Sequence, residues 1–166
     1  MPLLTDHTEK QMQVSAAIKQ AVEAKITECL TKATQRYKCT FQRPTVSYDK
    51  SGTVAGTANY TTWHVQFNPV LLMENQAEFI AQTVPHEIAH LITDRVYPHA
   101  HRPTGVWMMG AKRSVHGKEW KSVMRALGAD PNRCHQYDVS SAQTKVKSKY
   151  HYTCKCAGEK GNHFVG

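Results

Sequence analysis

The sequence predicts an α+β fold, and three observations carry that reading. Apolar residues recur at helical spacing near the N-terminus, the pattern changes to alternation from residue 41, and helical periodicity returns beyond residue 76. A chain of 166 residues is one ordinary domain with room for a short appendage, long enough to bury a core without disulfide staples.

The elements follow in order. Val14, Ile18, Val22, Ile26, Cys29, Ala33 and Tyr37 lie close to 3.6 residues apart with polar residues between them, which predicts a long amphipathic helix over 9–36. "TVSYD", a "KSG" turn, "TVAGTA" and "TWHVQFN" then predict three short antiparallel strands, with Trp63, Val65 and Phe67 pointing inward. Gly52 marks the turn, and Gly56 marks a place where something packs closely on its strand. "NPVLLMEN" supplies a turn and a short helical piece, after which Phe79, Ile80, Val84, Ile88, Leu91 and Ile92 resume helical spacing. Pro85 interrupts this run: either the helix bends there or a new one starts. Residues 98–115 read as loop. "GKEWKSVMRALG" predicts another helix, with Trp120, Val123, Met124 and Leu127 on one face and Gly128 as its stop. Two units are expected: a main domain over 1–140 and a basic linker and tail over 141–166.

Composition narrows the class. Hydrophobic residues make up 40% and charged residues 20%, which excludes disorder and a membrane-embedded protein. The first residues carry no basic segment leading into an apolar one, so no export and no membrane span are expected. Five irregularly spaced cysteines argue against a secreted disulfide framework and for a reducing, cytoplasmic setting. The net charge of +8 is uneven: residues 86–166 hold thirteen Lys/Arg against six Asp/Glu, and residues 1–85 hold eight against seven. An acidic partner, nucleic acid first, is one reading of that excess, and a solvated basic face is the other.

"VPHEIAHLI" carries the chemistry. On a helix, residues four apart lie about 40° apart around the axis and about 6 Å along it, so His86 and His90 can point at one ion. Glu87, rotated by about 100°, cannot join them but can reach a water held on that ion and act as general base. A kinked helix that merely contains two histidines would show the same five residues. A catalytic zinc needs a third protein ligand and an open position. "SVHGKEW" offers His116 at the entrance to a packed helix, while His99 and His101 compete from a Pro-containing loop. His116 is favoured because an element end holds a ligand more rigidly than a loop.

"VPHEIAHLI", "HGKEW", the upstream "GTANY" and "FNPVLL" and the downstream "CHQYDV" and "YHYTCKC" together resemble the SprT family of zinc metalloprotease-like proteins, whose eukaryotic relatives include the DNA-dependent protease Spartan. The resemblance runs from about residue 45 to the end. It implies a zincin-like metalloprotease domain with a small antiparallel sheet and an HExxH helix. It also implies Zn2+ on His86, His90 and His116, Glu87 as catalytic base, and a basic surface that meets DNA in the protease branch. The family's zinc-ribbon-like C-terminal region normally has more Cys and His than the Cys154, Cys156 and His163 seen here, so the appendage is either cut short or degenerate. The segment between His90 and His116 also looks longer than the compact bacterial pattern.

The remaining residues take plainer roles. Trp63 and Trp120 read as core, Trp107 as core or lid, His135 and Tyr137 as packing or support, His64 as solvent-facing, and Cys29 and Cys39 as small apolar residues. The leading hypothesis is a zinc-dependent endopeptidase acting on a protein or peptide, with an extended substrate pairing along the "TWHVQFN" strand. The alternative is a non-proteolytic, zinc-containing nucleic-acid-binding or regulatory protein. Lys145, Lys147 and Lys149 beside Tyr150 and Tyr152 suggest a single-stranded DNA contact in the tail.

Overall fold

A computed structural model describes residues 13–98, 115–132 and 137–142, together with the backbone of 150–153 and 162–165. His99, His101, Trp107, Cys134, His135, Cys154, Cys156 and the three tail lysines lie outside the described residues. The protein is α+β, with a small mixed sheet packed among helices.

The first helix, α1, spans Ala16–Tyr37. It starts later than the periodicity predicts, because the Ser15 side chain caps it by accepting a hydrogen bond from the Ile18 N–H at 3.3 Å. Residues 13–15 precede it in non-helical conformation, although Val14 is still buried. Val22, Ile26, Cys29 and Ala33 form its buried stripe. Lys38 ends it in the left-handed conformation, its N–H bonded to the Thr34 carbonyl at 2.9 Å.

Three strands follow: β1 (Thr45–Ser47), β2 (Gly56–Asn59) and β3 (His64–Phe67). Their order is β1-β3-β2, with β1 parallel and β2 antiparallel to β3. The expectation of an antiparallel sheet is thus corrected. The "KSG" turn does not close a tight hairpin, although Gly52 does take φ +81°. It belongs to a longer connection, which carries the chain to the other side of β3. Buried Asn68 fixes that connection: its Nδ2 donates to the carbonyls of Gly52 (2.7 Å) and Val54 (3.3 Å), and its N–H donates to that of Ala55 (2.8 Å). The same topology overturns the expected role of "TWHVQFN" as the strand a substrate would join, since β3 is central and paired on both sides. Trp63 is not in the strand: it takes φ +52° in the β2–β3 turn and is half-buried, its Nε1–H donating to the Gln42 carbonyl at 2.7 Å.

Val65 and Phe67 face inward, and His64 and Gln66 face outward. His64 thus lies on the outer face as expected, half-buried and held between the hydroxyls of Thr45 (2.8 Å) and Ser47 (2.9 Å). Cys29 is buried as expected, but Cys39 is exposed.

Beyond β3, α2 (Pro69–Glu74) is capped by Asn68 Oδ1, which accepts from the N–H groups of Val70 and Leu71. A short turn, α3 (Gln76–Glu78), runs through a π-helical segment, Phe79–Thr83, into α4 (Val84–Val96). The second of the two expected solutions holds: α4 begins at Val84 with Pro85 in its first turn, although the chain enters it through a π turn rather than a loop. The wider turn falls immediately before the proline, and the Val84 N–H reaches back five residues to the Phe79 carbonyl. A proline ring in an α-helix collides with the carbonyl four residues back, and a local π turn relieves that crowding without breaking the helix. The last helix of the main body, α5 (Lys118–Leu127), buries Trp120, Val123, Met124 and Leu127 as predicted, and Gly128 stops it at φ +77°.

The core lies where α1, α4 and α5 pack together, with Ile26, Ile88, Ile92 and Leu127 fully buried and Phe67 meeting Phe79 edge to face at 5.6 Å. On the far side α4 packs against β2. The chain then returns with Tyr137 buried, stacked on Phe79 and bonded to the Thr83 hydroxyl at 2.9 Å. Two C-terminal strands, β4 (Tyr150–Thr153) and β5 (Asn162–Val165), pair antiparallel. Among the described residues no helix is long and apolar enough to cross a membrane.

Candidate metal centre

The i, i+4 spacing on α4 does what helix geometry requires. His86 and His90 lie on one face, their rings 5.0 Å apart, and the turn ahead of α5 brings His116 against both. The Nε2 of His116 is 3.0 Å from that of His86 and 3.1 Å from that of His90. A neutral imidazole Nε2 carries either a proton or a lone pair, so His116 can direct at most one good hydrogen bond into this group. Three lone pairs turned towards one point suit a cation instead. For tetrahedral coordination at about 2.0–2.1 Å the nitrogens would sit roughly 3.3 Å apart, close to the observed separations. The three histidines could therefore hold a metal ion.

Trp120 forms the wall behind them. Its ring stacks on His90 at 5.6 Å and meets His86 (4.7 Å) and His116 (4.6 Å) near edge-on. Its Nε1–H points at the His86 carbonyl at 3.4 Å, the long end of hydrogen-bonding range. Sequence reasoning assigned this tryptophan to the core, and it is buried. The same reasoning missed that one residue serves as both core and ligand support. The signal was there: Trp120 lies four residues past His116, on the helix face that carries the core.

Glu87 is buried beside the histidines, on the side covered by β2. Burial pushes its carboxyl up to about 8, with the charge of Lys50 pulling the other way. The approach of β2 is possible because of Gly56: a Cβ there would lie 2.9 Å from Glu87 Cγ and 3.2 Å from its Oε1. The close packing predicted at Gly56 is thus against Glu87 itself. Tyr60, at the end of the same strand, also lines the cleft, and its phenol is raised by burial and by the carboxylates of Asp94 and Glu87.

These groups open into a cleft of about 620 Å³. One wall is the segment Thr53–Ala58, the floor is α4, and the far side holds Val115, Met124 and Asn132. Of the three candidates for a third ligand, the structure brings His116 to the pair, while His99 and His101 are outside the described residues.

Fold and site together define an α+β protein with a three-histidine metal-binding cluster on and beside one helix. The model of the SprT-like family matches residues 26–141. The chain is 40% identical to Protein SprT of Pasteurella multocida over 81% of its own length and 73% of that protein. It is 36% identical to Protein SprT of Shigella dysenteriae and 34% identical to that of Proteus mirabilis, in each case over 89% of this chain and about four-fifths of the relative. This chain belongs to the SprT-like family. No solved structure matches it.

Proposed function

We propose that the protein is a zinc-dependent endopeptidase, with Zn2+ held by His86, His90 and His116 and with Glu87 as the catalytic base. The supporting observation is the convergence of three Nε2 atoms beside a buried carboxylate, at the bottom of a cleft bordered by a strand. Zinc in such a site polarises a carbonyl and makes water acidic enough to act as a nucleophile near neutral pH. Glu87 takes the proton of the attacking water and returns it to the departing amine. Burial raises the Glu87 carboxyl, and a cation held by the three histidines would lower it again, which would leave a carboxylate able to take a proton. Trp120 and the α4 backbone hold the imidazoles, and Gly56 lets β2 close over Glu87.

The substrate is an extended protein or peptide segment that joins the sheet through β2. This strand has one partner, β3, and its other edge is unpaired among the described residues. Residues 1–140 form the catalytic unit in this reading, and 141–166 a basic tail. Single-stranded DNA is the proposed second partner, drawn by the excess of seven positive charges in residues 86–166.

The decisive experiment compares the parent with Glu87→Gln on an unfolded protein substrate, with zinc content measured on both. The amide keeps shape but cannot act as a base, so zinc is expected to stay and cleavage to vanish. Equal cleavage by both would remove Glu87 from the mechanism. A parent that binds zinc and DNA but cleaves nothing would leave the non-proteolytic nucleic-acid-binding reading.

A further inference from the structure

Large apolar side chains exposed on a soluble protein are ordinary when scattered, but their position matters when they gather. Among the described residues only two are exposed by more than a third: Val54, at 47%, and Val115, at 48%. Both line the cleft above the histidines. They come from different elements. Val54 lies in the connection leading into β2, and Val115 immediately precedes His116.

Hydrogen bonds hold the backbone beside the first of them. The Val54 carbonyl accepts from buried Asn68 at 3.3 Å, and the neighbouring Ala55 carbonyl accepts from the Asn68 N–H at 2.8 Å. Val115 is tied to the cluster through its neighbour His116. Met124, buried, adds a further apolar residue to the same lining. Buried Glu87 apart, the charged lining is one-sided: Glu78 and Asp130 are present, and no lysine or arginine is among the described lining residues, although the chain as a whole is basic.

We infer that Val54 and Val115 are specificity-determining residues: they grip an apolar side chain of the extended substrate, while the acidic lining rejects acidic side chains beside it. The inference rests on the peptide-binding reading of the cleft and names the class of segment it takes. An apolar side chain placed between the two valines removes their exposed surface and its own from water, whereas a polar one loses hydration without a partner. A carboxylate entering the cleft meets the like charges of Glu78 and Asp130 in the same lining. Selection therefore has an attractive part and a repulsive part.

The test uses the full chain carrying Glu87→Gln, with zinc added, and measures binding without turnover by fluorescence anisotropy. The probes are labelled, unstructured peptides of Gly, Ala and Ser with a single central Leu, Ser or Glu. The Leu peptide is expected to bind about 10-fold tighter than the Ser peptide, with the Glu peptide weakest. Adding Val54→Ser and Val115→Ser should reduce the Leu advantage to about threefold or less. Adding Val54→Ile and Val115→Ile instead should preserve it, which separates loss of grip from loss of fold. Equal binding of the three peptides, no binding of any, or an undiminished Leu preference in the serine variant would overturn the inference. Cleavage is measured separately with Glu87 intact. Its absence alongside the expected binding preference would count against the peptidase reading alone.

Discussion

Gly56 and Glu87 are fitted to each other: a methyl group added at Gly56 would stand 2.9 Å from Glu87 Cγ, inside van der Waals contact. The strand and the carboxylate can share that space only while residue 56 has no side chain. Gly56→Ala must therefore push the strand or the carboxylate aside. Displacements of about 1 Å at a catalytic group can cost roughly 100-fold in rate, so kcat is expected to fall about 10- to 100-fold with zinc content unchanged. Steady-state kinetics with metal analysis on the same preparation checks this. Unchanged kcat would count against Glu87 acting as the base from the position it holds beside Gly56.

The ligand set can be tested one histidine at a time. His116→Ala should lower zinc content and affinity, because it removes one of three converging Nε2 atoms. His99→Ala and His101→Ala should leave both as in the parent. Competition with a chromogenic chelator gives the affinities. Zinc retained in His116→Ala but lost in either loop variant would move the third ligand.

Much of the site was legible because its determinants are local. The spacing of His86 and His90 fixes their common face, and Gly117 with the apolar stripe of α5 places His116 at the entrance to a packed helix. What the sequence hid depends on residues far apart in the chain. The mixed sheet is set by Asn68 reaching back to the carbonyls of Gly52 and Val54, which no local period reveals. Consequently β2, rather than β3, became the edge beside the cleft. The π turn before Pro85 was hidden for a different reason: a kink, a new helix and a widened turn all satisfy a missing N–H, and packing chooses among them. The late start of α1 is a third case, in which a capping serine overrides an apolar period that continues past it to Val14.

Asn68 should accordingly matter to stability as well as shape. It is fully buried and serves the cap of α2 and the β1–β2 connection at once. Asn68→Ala leaves buried backbone groups unpaired and removes a cap, so a loss of about 2–4 kcal/mol is expected. Asn68→Asp keeps the cap acceptors but cannot donate to Gly52 and Val54, so it should recover only part of that loss. Urea denaturation monitored by tryptophan fluorescence measures both. Equal stability of the Asp variant and the parent would remove the donor role.

Trp120 joins the core and the three-histidine cluster, and its two roles can be separated by substitution. Its ring lies against all three histidines, while its Nε1–H makes only a long contact to the His86 carbonyl. Trp120→Phe keeps an aromatic face and gives up that contact and some volume. It should cost about 1–2 kcal/mol of stability with zinc affinity close to the parent's. Trp120→Leu removes the aromatic face against which the imidazoles are oriented. Because the groups behind metal ligands typically govern affinity by about 10- to 100-fold, it should weaken zinc binding by at least about 10-fold. The stability loss should be larger as well. Chelator competition and urea denaturation on each variant give the two quantities independently. If Trp120→Leu bound zinc as tightly as the parent while losing stability, the tryptophan would be core alone, and the histidines would be oriented by the backbones of α4 and the His116 turn.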